Sequence, residues 1–108
     1  MPTSAPDAPG PSISAVTAAA TTLRLLVRNH PGVMSHICGL FARRGFNVGG
    51  ILCLPVGDAT RSVILLTVDE DERHEQLIRQ LNKLEDVVEV RRAPEARAVF
   101  SAVAAWLP

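Results

Sequence analysis

Apolar and polar residues alternate along the first part of the chain and then change period. Leucine and valine at positions 23, 25 and 27 alternate with arginine at positions 24 and 28, which is typical of a half-buried strand. Pro31 suits the first turn of a helix, because the missing N–H of proline would lack a partner there. Apolar residues then recur at helical spacing: Val33, Ile37, Leu40 and Phe41. Arg43, Arg44 and Gly45 predict the end of this first helix.

The middle of the chain reads as a hairpin. A second strand is predicted to run from residue 46 to Pro55, with a weak centre at Gly49 and Gly50. Its apolar residues alternate on one face: Phe46, Val48, Leu52 and Leu54. Residues 57–60 form the loop, and residues 62–68 are an almost continuous apolar run, which favours an interior strand.

A second helix and a fourth strand complete the pattern. Asp69 is expected to cap the helix, with acidic residues 70–72 near its start. The apolar stripe of the helix consists of Leu77, Ile78, Leu81 and Leu84. Residues 86–92 supply the fourth strand.

The order strand, helix, strand, strand, helix, strand predicts an α+β fold. Two right-handed crossovers place both helices on one face of a four-stranded antiparallel sheet, which is a ferredoxin-like βαββαβ sandwich. Strands 1 and 3 are central in this topology, and strand 2 is an edge with an open row of backbone groups. We therefore expect a homodimer that forms through strand 2.

The two ends differ from this domain, which we assign to residues 22–92. Residues 1–21 are rich in Pro, Ser, Ala and Thr and are expected to be a disordered leader rather than a signal peptide. The tail, residues 93–108, has apolar residues on one helical face: Val99, Phe100, Val103, Trp106 and Leu107. This face either packs back on the sheet, on the side without helices, or docks to another protein.

The composition of the chain argues against nucleic acid and membranes as partners. Eleven basic residues balance eleven acidic ones, so no global field attracts nucleic acid or an anionic membrane. The central strands carry none of the aromatic residues on which bases stack in RNA-recognition domains. The chain has no membrane span, and Cys38 and Cys53 read as reduced thiols of a cytoplasmic protein.

The start of the first helix is the strongest candidate for a ligand site. Unpaired N–H groups at Gly32 and Val33 can hold a carboxylate, and a glycine lets a ligand approach the backbone. The amides of Asn29 and Asn47 can face both charges of a zwitterion, and Val33 and Ile51 can form an apolar wall. The sequence therefore predicts a site for a small aliphatic amino acid. Alternatively, Asn29 caps the helix and Asn47 serves a turn.

Metal and covalent chemistry are poorly supported. His36 and Cys38 are two residues apart on a helix and point to different sides, while His30, Cys53 and His74 show no ligand spacing. We therefore predict no metal site. Cys38 shares a face with Met34 and is expected to pack in the core rather than act as a nucleophile.

Two segments, RNHPGVMSHICGLFARRGFNVGGILCLP at residues 28–55 and KLEDVVEV at residues 83–90, carry a family resemblance. With them, residues 23–92 closely resemble the small regulatory subunit of acetolactate (acetohydroxyacid) synthase in its short, single ACT domain form. The resemblance implies a non-catalytic subunit that activates a catalytic large subunit and confers feedback inhibition by valine in branched-chain amino acid biosynthesis. It also implies that thiamine diphosphate, Mg and FAD belong to the catalytic subunit, with no cofactor on this chain.

The resemblance also assigns an effector site at a dimer interface. That site falls on Asn29, Gly32, Val33, Met34 and Asn47, with Ile51 as a neighbouring wall. Gly49 stands where the family commonly has an acidic residue, so any polar contact from that carboxylate is lost. The expected effector is valine, and the alternatives are weak regulation or another branched-chain amino acid. The alternatives are a stand-alone ACT module that regulates another enzyme, or an acylphosphatase-like enzyme that uses Arg28 and Asn47 around an anion.

Overall fold

The computed structural model describes residues 20–69 and 73–108, which form one four-stranded antiparallel sheet with the strand order β2-β3-β1-β4. The strands are β1 (Ala20–Arg28), β2 (Val48–Val56), β3 (Arg61–Asp69) and β4 (Val87–Arg92). The helices are α1 (Val33–Arg43), α2 (His74–Asn82) and, after a 3-10 turn at Pro94–Ala96, α3 (Arg97–Ala104). The predicted ferredoxin-like topology, with β1 and β3 in the centre, is confirmed.

The core lies between one face of the sheet and the helices α1 and α2. Leu25 of β1 stands opposite Ile64 of β3, and all three core-facing β1 residues are fully buried. The helices contribute these buried residues of their predicted stripes: Val33, Ile37, Leu40 and Phe41 from α1, and Leu77 and Leu81 from α2. Ile78 and Leu84 are only partly buried, and Leu84 lies beyond the end of α2. Each buried aliphatic side chain contributes roughly 1.5–3 kcal/mol to folding. The pattern of apolar residues therefore accounts for this side of the sheet.

The predicted alternation along the second strand is wrong because β2 contains a bulge. Val48 pairs with Val68 and Gly50 with Thr67, so Gly49 is the extra residue. Beyond the bulge, Ile51 shares the face of Val48, whereas Leu52 and Leu54 point to the opposite side. The strand also continues through Pro55 to Val56. An edge strand tolerates the missing N–H of proline.

The predicted cap of the second helix is also wrong. Asp69 is the last residue of β3, where it pairs with Ala20, and α2 begins at His74 with no side-chain cap. The backbone oxygen of Asp69 instead lies 2.8 Å from Nε2 of His74. Residues 70–72, predicted as the acidic start of the helix, lie outside the described residues. Asp69 belongs to β3 rather than to the helix because β1 provides backbone partners for the whole length of β3.

The start of the domain differs slightly from the prediction. Ala20 and Thr21 pair with Asp69 and Val68, so β1 includes two residues that were assigned to the leader. The rest of the predicted leader, residues 1–19, lies outside the described residues.

The tail packs back on its own sheet, which is one of the two predicted alternatives. We use the term helix-free face for the side of the sheet that carries Thr22, Thr67 and Gly50. The ring of Phe100 lies over Gly50 on this face, and the N–H of Ala93 donates to the carbonyl oxygen of Thr22 (2.8 Å). Other apolar residues of the tail stay exposed: Val99, Val103, Trp106 and Leu107. Docking of the tail to another protein thus remains a prediction.

Candidate functional site

The first turn of α1 is open to solvent. Gly32 precedes the helix with a φ of 91°, a left-handed conformation that favours glycine, and no side chain caps the helix. A Cβ atom at Gly32 would meet nothing within 4 Å. The N–H groups of Met34 and Ser35 donate to no acceptor in the part of the chain that the structure describes. Unpaired N–H groups and the positive end of the helix dipole together suit an anion.

Asn29 fixes this turn by binding the β2–β3 hairpin. Its backbone N–H donates to the carbonyl oxygen of Thr60 (3.0 Å), and its Nδ2 donates to that of Ala59 (2.9 Å). The alternative in which Asn29 caps the helix is therefore wrong. The side chain is exposed, but its amide nitrogen is already engaged within the chain.

Val33 does not form the predicted apolar wall. Its side chain is 5% exposed and belongs to the core. Its N–H group, which was predicted to be unpaired, donates to the carbonyl oxygen of His30 (3.4 Å). Met34 is half-buried and packs against the same core. The reason is the helical period, because Val33 begins the stripe that continues through Ile37.

A carboxylate beside the turn carries the main electrostatic feature of this region. Oδ1 of Asp86 lies 2.5 Å from Nε2 of His30, and its Oδ2 lies 3.6 Å from Nδ1 of His36. Nδ1 of His30 lies 2.6 Å from the carbonyl oxygen of Pro31. The contact with Asp86 and then that with Pro31 raise the pKa of His30 above its ordinary 6.5. The same contact with His30 lowers the pKa of Asp86. Sequence patterning had placed Asp86 only at the start of a strand, and no periodic signal marks its partners.

The second group of predicted site residues lies after α1. The N–H of Phe46 donates to the carbonyl oxygen of Phe41 (2.9 Å), and the two rings meet edge to face at 6.4 Å. The guanidinium of Arg73 lies 4.5 Å above the ring of Phe46. These contacts fix the chain just before Asn47, whose side chain is exposed. Ile51, further along β2, is half-buried against the core.

The structure does not bring the two groups of residues together within one chain. Gly32 precedes α1 and Asn47 follows it, and α1 has 11 residues. At 1.5 Å per residue the two groups are separated by about 16 Å along the helix. Arg28, at the end of β1, is separated from Asn47 in the same way. The pair that an acylphosphatase-like site would need is therefore not assembled in the chain.

Other concave or reactive features fall outside the predicted set. A groove of about 340 Å³ runs beside α1 and is lined by Ser35, His36, Arg43, Leu84, Glu85 and Asp86. Cys38 and Cys53 are both free and exposed, so the predicted core position of Cys38 is wrong. Across residues 20–69 and 73–108, no group of three or more His, Cys, Asp and Glu side chains is arranged to hold a metal ion. The same residues contain no helix that is long and apolar enough to cross a membrane.

The fold and the open helix start define a small α+β module of the ACT class. The solution structure of the ACT domain from GTP pyrophosphokinase of Chlorobium tepidum matches it with a TM-score of 0.58 at 18% identity, covering 71% of this chain and 88% of that chain. This likeness shows the fold alone. A model of the family described as AHAS small subunit-like ACT domain matches residues 23–89. The chain belongs to that family, as the sequence resemblance predicted.

Named relatives agree with this assignment. The acetolactate synthase isozyme 1 small subunit of Escherichia coli K12 is 57% identical over 84 residues, which is 78% of this chain and 88% of the relative. The crystal structure of the acetolactate synthase small subunit from Thermotoga maritima matches with a TM-score of 0.63 and 36% identity. That match covers 68% of this chain but 46% of the other, so the Thermotoga protein is the longer of the two.

Proposed function

We propose that this chain is the regulatory small subunit of acetolactate synthase, a non-catalytic protein that activates the catalytic large subunit and mediates feedback inhibition by valine. Membership of the small-subunit family supports the partner. The single observation that supports effector binding is the open, uncapped first turn of α1 behind Gly32. The cofactors belong to the catalytic subunit in this proposal.

The effector is a branched-chain amino acid whose carboxylate binds the N–H groups at the start of α1. The N–H groups of Met34 and Ser35 would donate to the carboxylate, and the left-handed Gly32 leaves space for it. A neutral amide can accept from the ammonium group, and Asn47 is the exposed residue with this chemistry. Ile51 would contact the aliphatic side chain. Because Val33 is buried, Ile51 carries more of this contact than the sequence alone suggested.

A second copy of the chain supplies Asn47 and Ile51. The separation of about 16 Å along α1 prevents one protomer from surrounding a small amino acid with both groups. β2 is an edge strand of the sheet, so it can pair with its own copy and place its first residues near the partner's α1. The proposed site is therefore complete only in a homodimer.

Regulation follows from differential affinity. An effector bound across two protomers favours one arrangement of the dimer, and the catalytic subunit senses that arrangement through its contacts. Couplings of this kind are typically about 1–3 kcal/mol. Gly49 offers no carboxylate to the effector, so a second branched-chain amino acid can compete with valine at this site.

Replacement of Gly32 by Asp tests the site. We expect Gly32→Asp to lower valine affinity by at least about 100-fold, because its carboxylate competes for two N–H donors and repels the ligand. Calorimetric titration of the purified chain with valine measures the affinity. The left-handed backbone adds a stability cost of about 1–2 kcal/mol.

Gly57→Asp is the matched control. Gly57 also has a positive φ, 61°, and open space at its Cβ position. This variant carries the same charge and the same backbone cost in the hairpin and should keep the affinity of the wild type. Equal valine affinity in both variants would contradict the placement of the carboxylate at α1.

A further inference from the structure

Phe100 covers a row of three residues that crosses the helix-free face. Thr22 of β1 stands directly opposite Thr67 of β3, and Thr67 stands opposite Gly50 of β2. A Cβ atom at Gly50 would lie 3.2 Å from Cε1 of Phe100 and 3.6 Å from Oγ1 of Thr67. The ring of Phe100 therefore sits at a position where only a glycine leaves full room for it.

Closure of the tail leaves two hydroxyl groups without a hydrogen bond. Thr22 and Thr67 are 3% and 1% exposed, and neither Oγ1 has a partner among the described residues. The turn at Pro94–Ala96 lies against β1, and the residue before it, Ala93, donates its N–H to the carbonyl oxygen of Thr22. A buried hydroxyl that has lost water without gaining a partner opposes the closed arrangement.

The apolar burial that offsets this cost comes mainly from Ala96, which is 5% exposed, and from part of the Phe100 ring. None of the α3 side chains is fully buried, and Phe100 is only half-buried. Val103, which follows Phe100 at helical spacing, is exposed, and so is Leu107 beyond the end of α3. If α3 leaves the sheet, the hydroxyls of Thr22 and Thr67 regain water. Phe100 then joins Val103 in one apolar stripe on α3.

We propose that residues 94–104 form a latch, closed over Thr22, Thr67 and Gly50 in the free subunit and opened when the catalytic subunit binds the apolar stripe of α3. The proposal rests on the proposed function only for the identity of the partner. Gly50 precedes Ile51 on β2, and the two face opposite sides of the sheet. The latch and the proposed effector contact thus share one strand.

Two substitutions should move the latch in opposite directions. Thr67→Val keeps the shape of the side chain and removes the unpaired hydroxyl, so amide hydrogen exchange in α3 should slow by about tenfold. Gly50→Ala places a methyl group against the ring of Phe100, so exchange in α3 should become faster. Exchange of the core amides of β1, measured in the same full-length chain, separates opening of the latch from global unfolding.

Gly49→Ala is the control for Gly50→Ala. Gly49 is the exposed neighbour on the same strand and has no left-handed φ, so the same substitution there should leave exchange in α3 unchanged. The latch is overturned if Thr67→Val and Gly50→Ala both leave exchange in α3 at the wild-type rate. It is also overturned if they shift that rate in the same direction.

Affinity for the catalytic subunit tests the second half of the proposal. Thr67→Val should weaken binding and Gly50→Ala should strengthen it, while Gly49→Ala binds as the wild type does. Unchanged affinities in the two latch variants would overturn the link between opening and partner binding. A wild-type chain that does not bind the catalytic subunit would contradict the proposed function instead, and the exchange measurements would still decide whether the latch exists.

Discussion

At the scale of single residues, the pair of His30 and Asp86 is the best-defined electrostatic contact beside the open turn. Nε2 faces the Asp86 carboxylate and Nδ1 faces the carbonyl oxygen of Pro31. Since both neighbours are acceptors, the arrangement is fully satisfied only when both ring nitrogens carry a proton. The raised pKa of His30 agrees with this geometry.

This contact predicts how stability depends on pH. The pKa of His30 is higher in the folded than in the unfolded chain, so its contribution is complete below pH 6.5 and is lost as the pH rises through the folded value. The depressed pKa of Asp86 acts in the opposite sense, with a contribution that is lost as the pH falls below 3.8 through the folded value. The free energy of unfolding should therefore fall less between pH 6 and pH 8 in His30→Gln than in the wild type.

Urea unfolding at several pH values measures this dependence. An identical pH dependence in the wild type and His30→Gln would show that the Asp86 contact does not couple to folding.

The sequence pattern predicted the positions of some single residues correctly and those of others incorrectly. The exposed positions of Asn29, Gly32 and Asn47 near the two ends of α1 could be predicted because glycine and asparagine favour the ends of a periodic segment. Their role in a ligand site stays a prediction. Val33 could not be placed correctly as a ligand contact, since it was counted both in the apolar stripe and in the wall. One buried side chain cannot serve both, and the structure assigns it to the core.

At the scale of elements, the order of strands and helices could be predicted because each change of period is abrupt. The β1 alternation ends at Arg28 and the helical period begins within a few residues. The bulge at Gly49 could not be placed, since the sequence marks two adjacent glycines and only pairing with β3 decides which one is unpaired. The end of β3 at Asp69 likewise depends on a partner strand that is distant in sequence.

Helix α3 predicts the result of a truncation. Removal of residues 97–108 should weaken activation of the catalytic subunit by at least about tenfold, because the exposed Val103 and Leu107 are lost as apolar contacts. Valine binding should change far less, since neither proposed half of the effector site lies in α3. Activation assays with the catalytic subunit and calorimetric titration with valine measure the two effects separately.

If the truncated chain lost activation and valine binding to the same extent, this prediction would be contradicted. Such losses would mark residues 97–108 as part of the fold, through the contact of Phe100 with Gly50. A thermal unfolding curve of the truncated chain distinguishes this outcome, because a structural tail would lower the melting temperature.

At the scale of the whole molecule, the proposed site depends on assembly. α1 separates Gly32 from Asn47, and β2 lies at the edge of the sheet. The family could be recognised from local segments because they hold the helix start and the β2 start in one continuous stretch, residues 28–55. Their separation in space is visible only in the folded chain, and completion of the site by a neighbour's β2 stays a prediction.

Valine binding and dimer formation should therefore be linked. A ligand that binds only the dimer stabilises it by about 2.7 kcal/mol per site at a concentration 100 times its dissociation constant. Sedimentation equilibrium should show a dimer dissociation constant that is lower by about 100-fold for each occupied site. The Gly32→Asp chain should dimerise equally with and without valine. A valine-saturated wild-type chain that sediments as a monomer would contradict the shared site.

The division of the proposed site by α1 has a genetic consequence. A chain damaged at Gly32 and a chain damaged at Asn47 would each fail alone, yet their mixed dimer would hold one pocket free of lesions and one that carries both. Two recessive alleles of this single gene could thus rescue each other, and co-expression would restore about half of the binding capacity in every mixed dimer.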